Sequence, residues 1–266
     1  MKKSRIAILR KSSFATSAMC IVAGTALLAQ SAAAQQGELR VICSNGIKAA
    51  VEMLLPEFER TSHQHVAVQY GPSAVLKRSI EGGAEFDLVI LTPVVIDDLT
   101  KQGKLGESTV LATSNLAVGI RSGAPKTDIS TPDAMKRRLL AAKSITYTKE
   151  GAANGAINDM IQRLGITAEI TAKTVLQTVS GRAEDAVAEG ENELVMAPLS
   201  EIVTVKGIEV LGLWPKEFQK PLVMSASVNL KAANPEAAKA LVKFLTSPAA
   251  VPAIKATGME MAARKK

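Results

Sequence analysis

The chain is 266 residues long and its formal net charge of +7 looks basic. Five of its basic residues (Lys2, Lys3, Arg5, Arg10 and Lys11) crowd the first eleven positions, and residues 35–266 carry 27 Lys and Arg against 25 Asp and Glu. That near balance, with an aromatic content of only 3%, supplies neither a basic footprint nor a set of stacking platforms, which excludes nucleic acid as an expected partner.

The basic start runs into an apolar stretch from Phe14 to Ala29 and then into the small residues Ser31 to Ala34. This is the pattern of a bacterial secretory signal peptide over residues 1–34, with cleavage expected before Gln35 and a periplasmic destination. Ser17, Gly24 and Thr25 interrupt the apolar stretch, which falls short of a spanning helix. Met19 stands before Cys20 where lipid attachment wants a small residue. The 232 residues that remain suffice for one large or two small domains.

Strand-like residues Leu39 to Cys43 lead into a segment from Gly46 to Arg60 in which Ile47, Val51, Leu54, Leu55 and Phe58 recur at helical spacing. Ser44, Asn45 and Gly46 are therefore a tight strand-to-helix turn. Val66 to Tyr70 is a second strand, and Gly71, Pro72 and Ser73 open a helix carrying Val75, Leu76 and Ile80. The run DLVIL precedes a helix with Val94, Val95 and Leu99, whose exposed face holds Asp97 and Asp98. NLAVGI and SITY follow, then a turn from Gly151 to Gly155 and a helix ending at Leu164 and Gly165. A strand ending near Val179 leads through Ser180 and Gly181 into a helix to about Glu189, and ELVMA, IEVLGL and LVMSASV complete the strands. The alternation predicts an α/β protein with largely parallel sheets.

Turns of this kind sit at the carboxyl edge of a sheet, where unpaired backbone N–H groups at a helix start can hold an anion. One such turn is ordinary capping. Four in register converge only if two lobes face each other across a cleft. Cys43, alone after the leader, reads as core, and His63 and His65 as surface. The sequence offers no Ser-His-Asp arrangement, no metal-ligand cluster and no P-loop, so no enzymatic activity, cofactor or metal is expected.

In the order and spacing of VICSNGIKAAVEMLLPEFE, YGPSAVLKRSIEGGAEFDLVIL, LATSNLAVGIRSG and AAKALVKFLTSPAAVPAIKATGME, the chain resembles the molybdate-binding periplasmic proteins of ABC importers, within the type II periplasmic binding protein fold. The resemblance implies a first lobe from residues 35–114 and 221–266, a second from 115–220, and a hinge at Leu116–Ile120 and Leu222–Val228. It implies a monomer that closes on a small anion, molybdate or tungstate first among them, and presents it to a membrane permease. Carried over by position, Ser44, Asn45 and Ser73 would bind from the first lobe, and Ala153, Asn154 and Ser180 from the second. Pro198 stands where the family commonly places a tyrosine, and GAANGAIN replaces its Pro-Ala-Gly turn. An organic carboxylate, with Arg121 or Arg182 as partner, and a sensor subunit are the alternatives.

Overall fold

The computed structural model describes residues 37–262, Ser180 excepted. The expected signal peptide and the binding role expected of Ser180 lie outside the described residues.

The chain alternates strands and helices almost throughout. β1 (Leu39–Ser44) leads through a 3-10 turn at Asn45–Ile47 into α1 (Lys48–Ser62), followed by β2 (Val66–Gly71), α2 (Ser73–Glu81), β3 (Leu88–Leu91) and α3 (Pro93–Lys101). β4 (Leu105–Ser114) and β5 (Leu116–Arg121) are separated by Asn115 alone. Then come α4 (Pro132–Ala141), β6 (Ile145–Thr148), α5 (Asn154–Arg163), α6 (Thr167–Thr171), β7 (Thr174–Gln177), α7 (Arg182–Ala188), β8 (Leu194–Pro198), α8 (Leu199–Ile202) and β9 (Ile208–Leu213). β10 (Leu222–Asn229), α9 (Pro235–Leu245), α10 (Val251–Ala256) and β11 (Met259–Met261) end the described chain.

Two sheets result. The first has the strand order β11-β4-β10-β3-β1-β2 and the second β7-β6-β8-β5-β9. The α/β architecture with helices flanking two sheets is the expected one. Its parallel pairing is confined to one side of each sheet, β1 with β2 and β3, and β6 with β7 and β8. β10 runs antiparallel to β3 and β4, and β5 antiparallel to β8 and β9. The reason is connectivity: β5 and β10 each arrive directly from the other sheet, without the helical crossover that parallel pairing requires.

Both faces of the first sheet are covered, and the period of two along a strand sorts its side chains accordingly. Val41, Cys43, Leu88 and Ile90 pack with α1, α9 and α10 through Val51, Leu241 and Ile254. Ile42, Val89 and Leu91 face the opposite way, onto Leu76 and Ile80 of α2 and Ile96 and Leu99 of α3. The second sheet divides in the same manner. Val118 and Met196 join Met135, Ile157 and Ile170 of α4, α5 and α6, while Ala117 and Val195 meet Ala183, Val187 and Ile202 of α7 and α8.

Several titratable side chains of these elements have structural roles. The Asp87 carboxylate is buried and accepts from Arg40 N at 2.9 Å and Ala233 N at 2.7 Å, which ties the loop before α9 to β1. Asp98 receives Lys77 Nζ at 3.0 Å. Cys43 is fully buried and its thiol is held well above the usual range by that burial. His65 lies at the surface between Glu59 and Glu38, and His63 takes the left-handed conformation (φ 56°) that ends α1.

Candidate anion-binding cleft

The first expected turn forms as the sequence indicates. Ser44 closes β1 in an extended conformation, and its hydroxyl accepts from Gly46 N at a long 3.4 Å. Gly46 is closely packed: a Cβ there would meet Leu222 Cδ2 at 2.6 Å, so a larger residue would have to displace that side chain. In the second turn Ser73 is the first residue of α2, and its hydroxyl accepts from Thr92 N at 3.3 Å, fastening α2 to the turn before α3. Both serine oxygens therefore accept from backbone N–H groups, which leaves each hydroxyl proton to be donated elsewhere.

A cavity of about 680 Å³ opens beside these turns. Asn45, Gly46, Gly71 and Pro72 line it from the first sheet, and Gly181, Glu184, Ser200 and Glu201 from the second. Ser44 and Ser73 are buried and lie outside its lining, immediately next to residues that form it. Ala153 precedes α5 and Asn154 begins it; both line a separate small cavity with Tyr147, Pro198, Glu184 and Glu201. The Asn154 side chain is engaged locally, donating to Lys149 O at 2.6 Å and accepting from Asn158 at 2.7 Å. Of the described residues expected to bind, Asn45 alone reaches the large cavity, while Ala153 and Asn154 reach the small one.

Glu184 and Glu201 line both cavities, and sequence reasoning passed over them. Glu184 is 2% exposed, in the first turn of α7, and its Oε2 has no hydrogen-bond partner. Burial pushes its carboxyl up to about 7, with Asp185 adding to the effect. Glu201, in α8 and partly exposed, is pushed up to about 8 by burial and by the neighbouring charge of Glu184. Both carboxyl groups are thereby held toward the protonated form. One signal for Glu184 was present: it sits beside Ala183, Ala186 and Val187, the buried stripe of its helix.

The remaining polar lining is mixed. Tyr70 brings a buried hydroxyl without a partner, and Lys48 Nζ lies 5.4 Å from its ring centroid and 3.8 Å from Glu52. The arginines considered as carboxylate partners lie elsewhere. Arg182 is occupied by Glu189 at 2.6 Å and by Glu191, and Arg121 lines a different cavity with Gly190 and Glu191.

The two sheets are joined at the cleft. Ser200 Oγ donates to Gly46 O at 2.9 Å, and Ser200 N donates to Ser114 Oγ at 3.0 Å. At the crossing between the sheets, Gln219 grips Leu116, accepting from its N–H at 2.9 Å and donating to its carbonyl at 2.7 Å.

Known proteins share both sequence and fold with this chain. A model described as bacterial extracellular solute-binding protein matches residues 39–260. An aconitate isomerase from Pseudomonas sp is 29% identical over 248 residues, covering 90% of this chain and 93% of the relative. The molybdate-binding protein ModA of Azotobacter vinelandii is 27% identical over 253 residues, covering 92% and 98%. The solved structure of the Azotobacter vinelandii periplasmic molybdate-binding protein superposes with a TM-score of 0.72 at 21% identity, over 85% of this chain and all of that one. A putative molybdenum transporter domain from Clostridium difficile gives 0.66 at 20% identity, over 85% and 99%. With a fold shared across these structures and a family match over nearly all the described residues, the chain belongs to the bacterial extracellular solute-binding protein family.

Proposed function

We propose that the chain is the periplasmic component of an ABC importer, a monomer that takes a small anion into the cleft between its two sheets and presents the closed, loaded form to a membrane permease. The observation that carries this reading is the convergence of the Asn45–Gly46 and Gly71–Pro72 turns with Gly181 on one cavity. Backbone N–H groups at such turns, with the protons of Ser44 and Ser73 behind them, favour an anion without a formal positive charge. In this reading residues 35–114 with 221–266 move against 115–220, and β5 and β10 carry the hinge. Closure gives the permease a state that only loaded protein occupies. A molybdate- or tungstate-like oxyanion is the first ligand class, as in the relatives named for molybdate.

A second reading has a specific observation behind it. The cavity of about 680 Å³ falls within the range of roughly 300–1,000 Å³ that suits organic ligands, and Pro198, where the family resemblance implies a tyrosine, lines the small cavity that shares Glu184 and Glu201 with it. An organic carboxylate then replaces the oxyanion, in line with the relative named for aconitate, and Glu184 and Glu201 become an acid and base within reach of it.

Thermal-shift and calorimetric titration of the purified protein with molybdate, tungstate, sulfate and a panel of small carboxylates including aconitate tests both. Binding of an oxyanion with no response to carboxylates supports the first reading, and the reverse supports the second. Proton NMR of aconitate incubated with the protein separates capture from conversion. No binding of any anion overturns both.

A further inference from the structure

Two acidic side chains in a cleft read as an anion site call for a physical account. Ionised carboxylates at Glu184 and Glu201 would repel the ligand, whereas a carboxyl group kept neutral by its surroundings donates a hydrogen bond to it. Both residues line the cavity that Asn45 and Gly71 reach from the first sheet, and both also line the small cavity at Ala153. Glu184 Oε2 is buried and has no hydrogen-bond partner. Among the described residues no cation forms an ion pair with either carboxyl.

We propose that Glu184 and Glu201 are ligand contacts, and that an anion entering the cleft draws a proton onto this pair, whose neutral carboxyl groups then donate to it. The inference rests on the anion reading of the cleft and adds to it the residues that select the ligand. It favours anions that present acceptor oxygens to two carboxyl donors, whether on an oxyanion or on an organic acid.

The surroundings support this. Burial raises both groups toward neutrality, to about 7 for Glu184 and about 8 for Glu201, and a ligand's negative charge raises them further. On α7 itself Asp185 adds negative charge near Glu184, while Arg182 is taken up by Glu189. Across the cleft, Lys48 and Glu52 of α1 stand 3.8 Å apart, and Tyr70 of β2 contributes a neutral phenol. From the second sheet, Tyr147 of β6 is likewise neutral, Glu209 of β9 pairs with Lys126, and Arg121 of β5 lines another cavity. β7 and β8 carry no titratable side chain. The pair is thus the group placed to exchange a proton with solvent when charge enters.

Calorimetric titration of the whole protein with molybdate and with citrate, at pH 8 in Tris and in HEPES, measures the proton directly, because the two buffers differ in ionisation enthalpy. The expected result is uptake of a substantial fraction of a proton per ligand, with Kd weakening by up to about tenfold per pH unit as pH rises through the pair's titration. Glu184→Gln and Glu201→Gln replace a neutral carboxyl by an amide that still donates. Each is expected to bind while taking up less proton and showing a flatter pH profile. Binding by the wild-type protein with no proton uptake and a flat Kd from pH 6 to 9 overturns the proposal and leaves the anion reading standing. Equal uptake in wild type and both variants places the proton elsewhere and also overturns it. Absence of binding by both probes at every pH removes the proposal, and the wider anion panel then decides the reading beneath it. If a variant does not fold, the wild-type buffer comparison still decides.

Discussion

The Ser200 hydroxyl donates to the Gly46 carbonyl across 2.9 Å, so the first turn of α8, beyond the second sheet, holds the turn that follows β1 in the first. Ser200 is buried, so its replacement by alanine leaves the Gly46 oxygen short of a donor with little access to water. Ser200→Ala is expected to lower stability by about 1 kcal/mol, read as a lower urea midpoint with an unchanged slope. Because the bond joins the two sheets at the cleft, the variant is also expected to change anion affinity. An unchanged midpoint and affinity would show that the bond contributes nothing to the folded state in solution.

Gly46 tests the same turn from its other side. A Cβ at that position would stand 2.6 Å from Leu222 Cδ2 and 3.3 Å from Met224 Sδ. Gly46→Ala is expected to cost about 1–3 kcal/mol through overpacking. Adding Leu222→Ala removes the clashing methyl, so the double variant is expected to be less destabilised than the sum of the two single changes. A double-mutant cycle by urea unfolding measures the coupling, and strict additivity would show that the clash is relieved by movement elsewhere.

The turns and most of the strands were legible in the sequence because each rests on a local pattern. β1, β2 and β3 are short apolar runs bounded by turn residues, and α1 and α2 show their buried faces at helical spacing. β4 was harder to read: its middle, from Glu107 to Val110, is exposed and polar enough to pass for a loop. The mixed pairing was hidden for another reason. Direction depends on where the chain crosses between sheets, and a single residue, Asn115, makes the first crossing. Glu184 and Glu201 lie seventeen positions apart in the sequence, and only the packing of α7 and α8 against the second sheet brings them to one cavity.

Their raised carboxyl groups also set a pH dependence of folding. In the unfolded chain a glutamate ionises at about 4.3, whereas burial in the folded protein pushes Glu184 up to about 7 and Glu201 up to about 8. The contribution of the pair to stability is therefore full below the unfolded value and is lost as pH rises through the folded values. Thermal unfolding from pH 5 to 9 is expected to show Glu184→Gln gaining on the wild-type protein as pH rises, since the amide has no proton to lose. Parallel curves for the two proteins would mean that the Glu184 carboxyl ionises alike in both states.

Ser44 and Ser73 make a sharper prediction for binding than for folding. Each already accepts from a backbone N–H, so the proton is the part left for a ligand. Ser44→Ala and Ser73→Ala are each expected to weaken anion binding by about 1–3 kcal/mol, the value of a hydrogen bond to a charged group. Calorimetry with the best-bound anion measures this, and unchanged affinity in both variants would remove the serines from the site.

Gln219 bears on the crossing between the sheets. Its side chain satisfies both the N–H and the carbonyl of Leu116, a residue with 1% of its surface exposed, at the point where the chain has just left the first sheet. Gln219→Ala leaves a buried N–H without its acceptor and is expected to cost about 1–3 kcal/mol. Gln219→Glu separates the two halves of the grip. It keeps an acceptor for Leu116 N but sets an ionised oxygen against the Leu116 carbonyl, a contact that protonation converts into a donor. The glutamate variant is therefore expected to fall well below the wild-type protein at pH 8 and to recover toward it as the carboxyl protonates at lower pH. Urea midpoints measured for both proteins across that range decide the point. A deficit that does not shrink on acidification would place its cause outside the contact with the Leu116 carbonyl, and no deficit at pH 8 would show that Trp214, whose backbone N–H also reaches Leu116 O at 3.1 Å, suffices to hold the crossing.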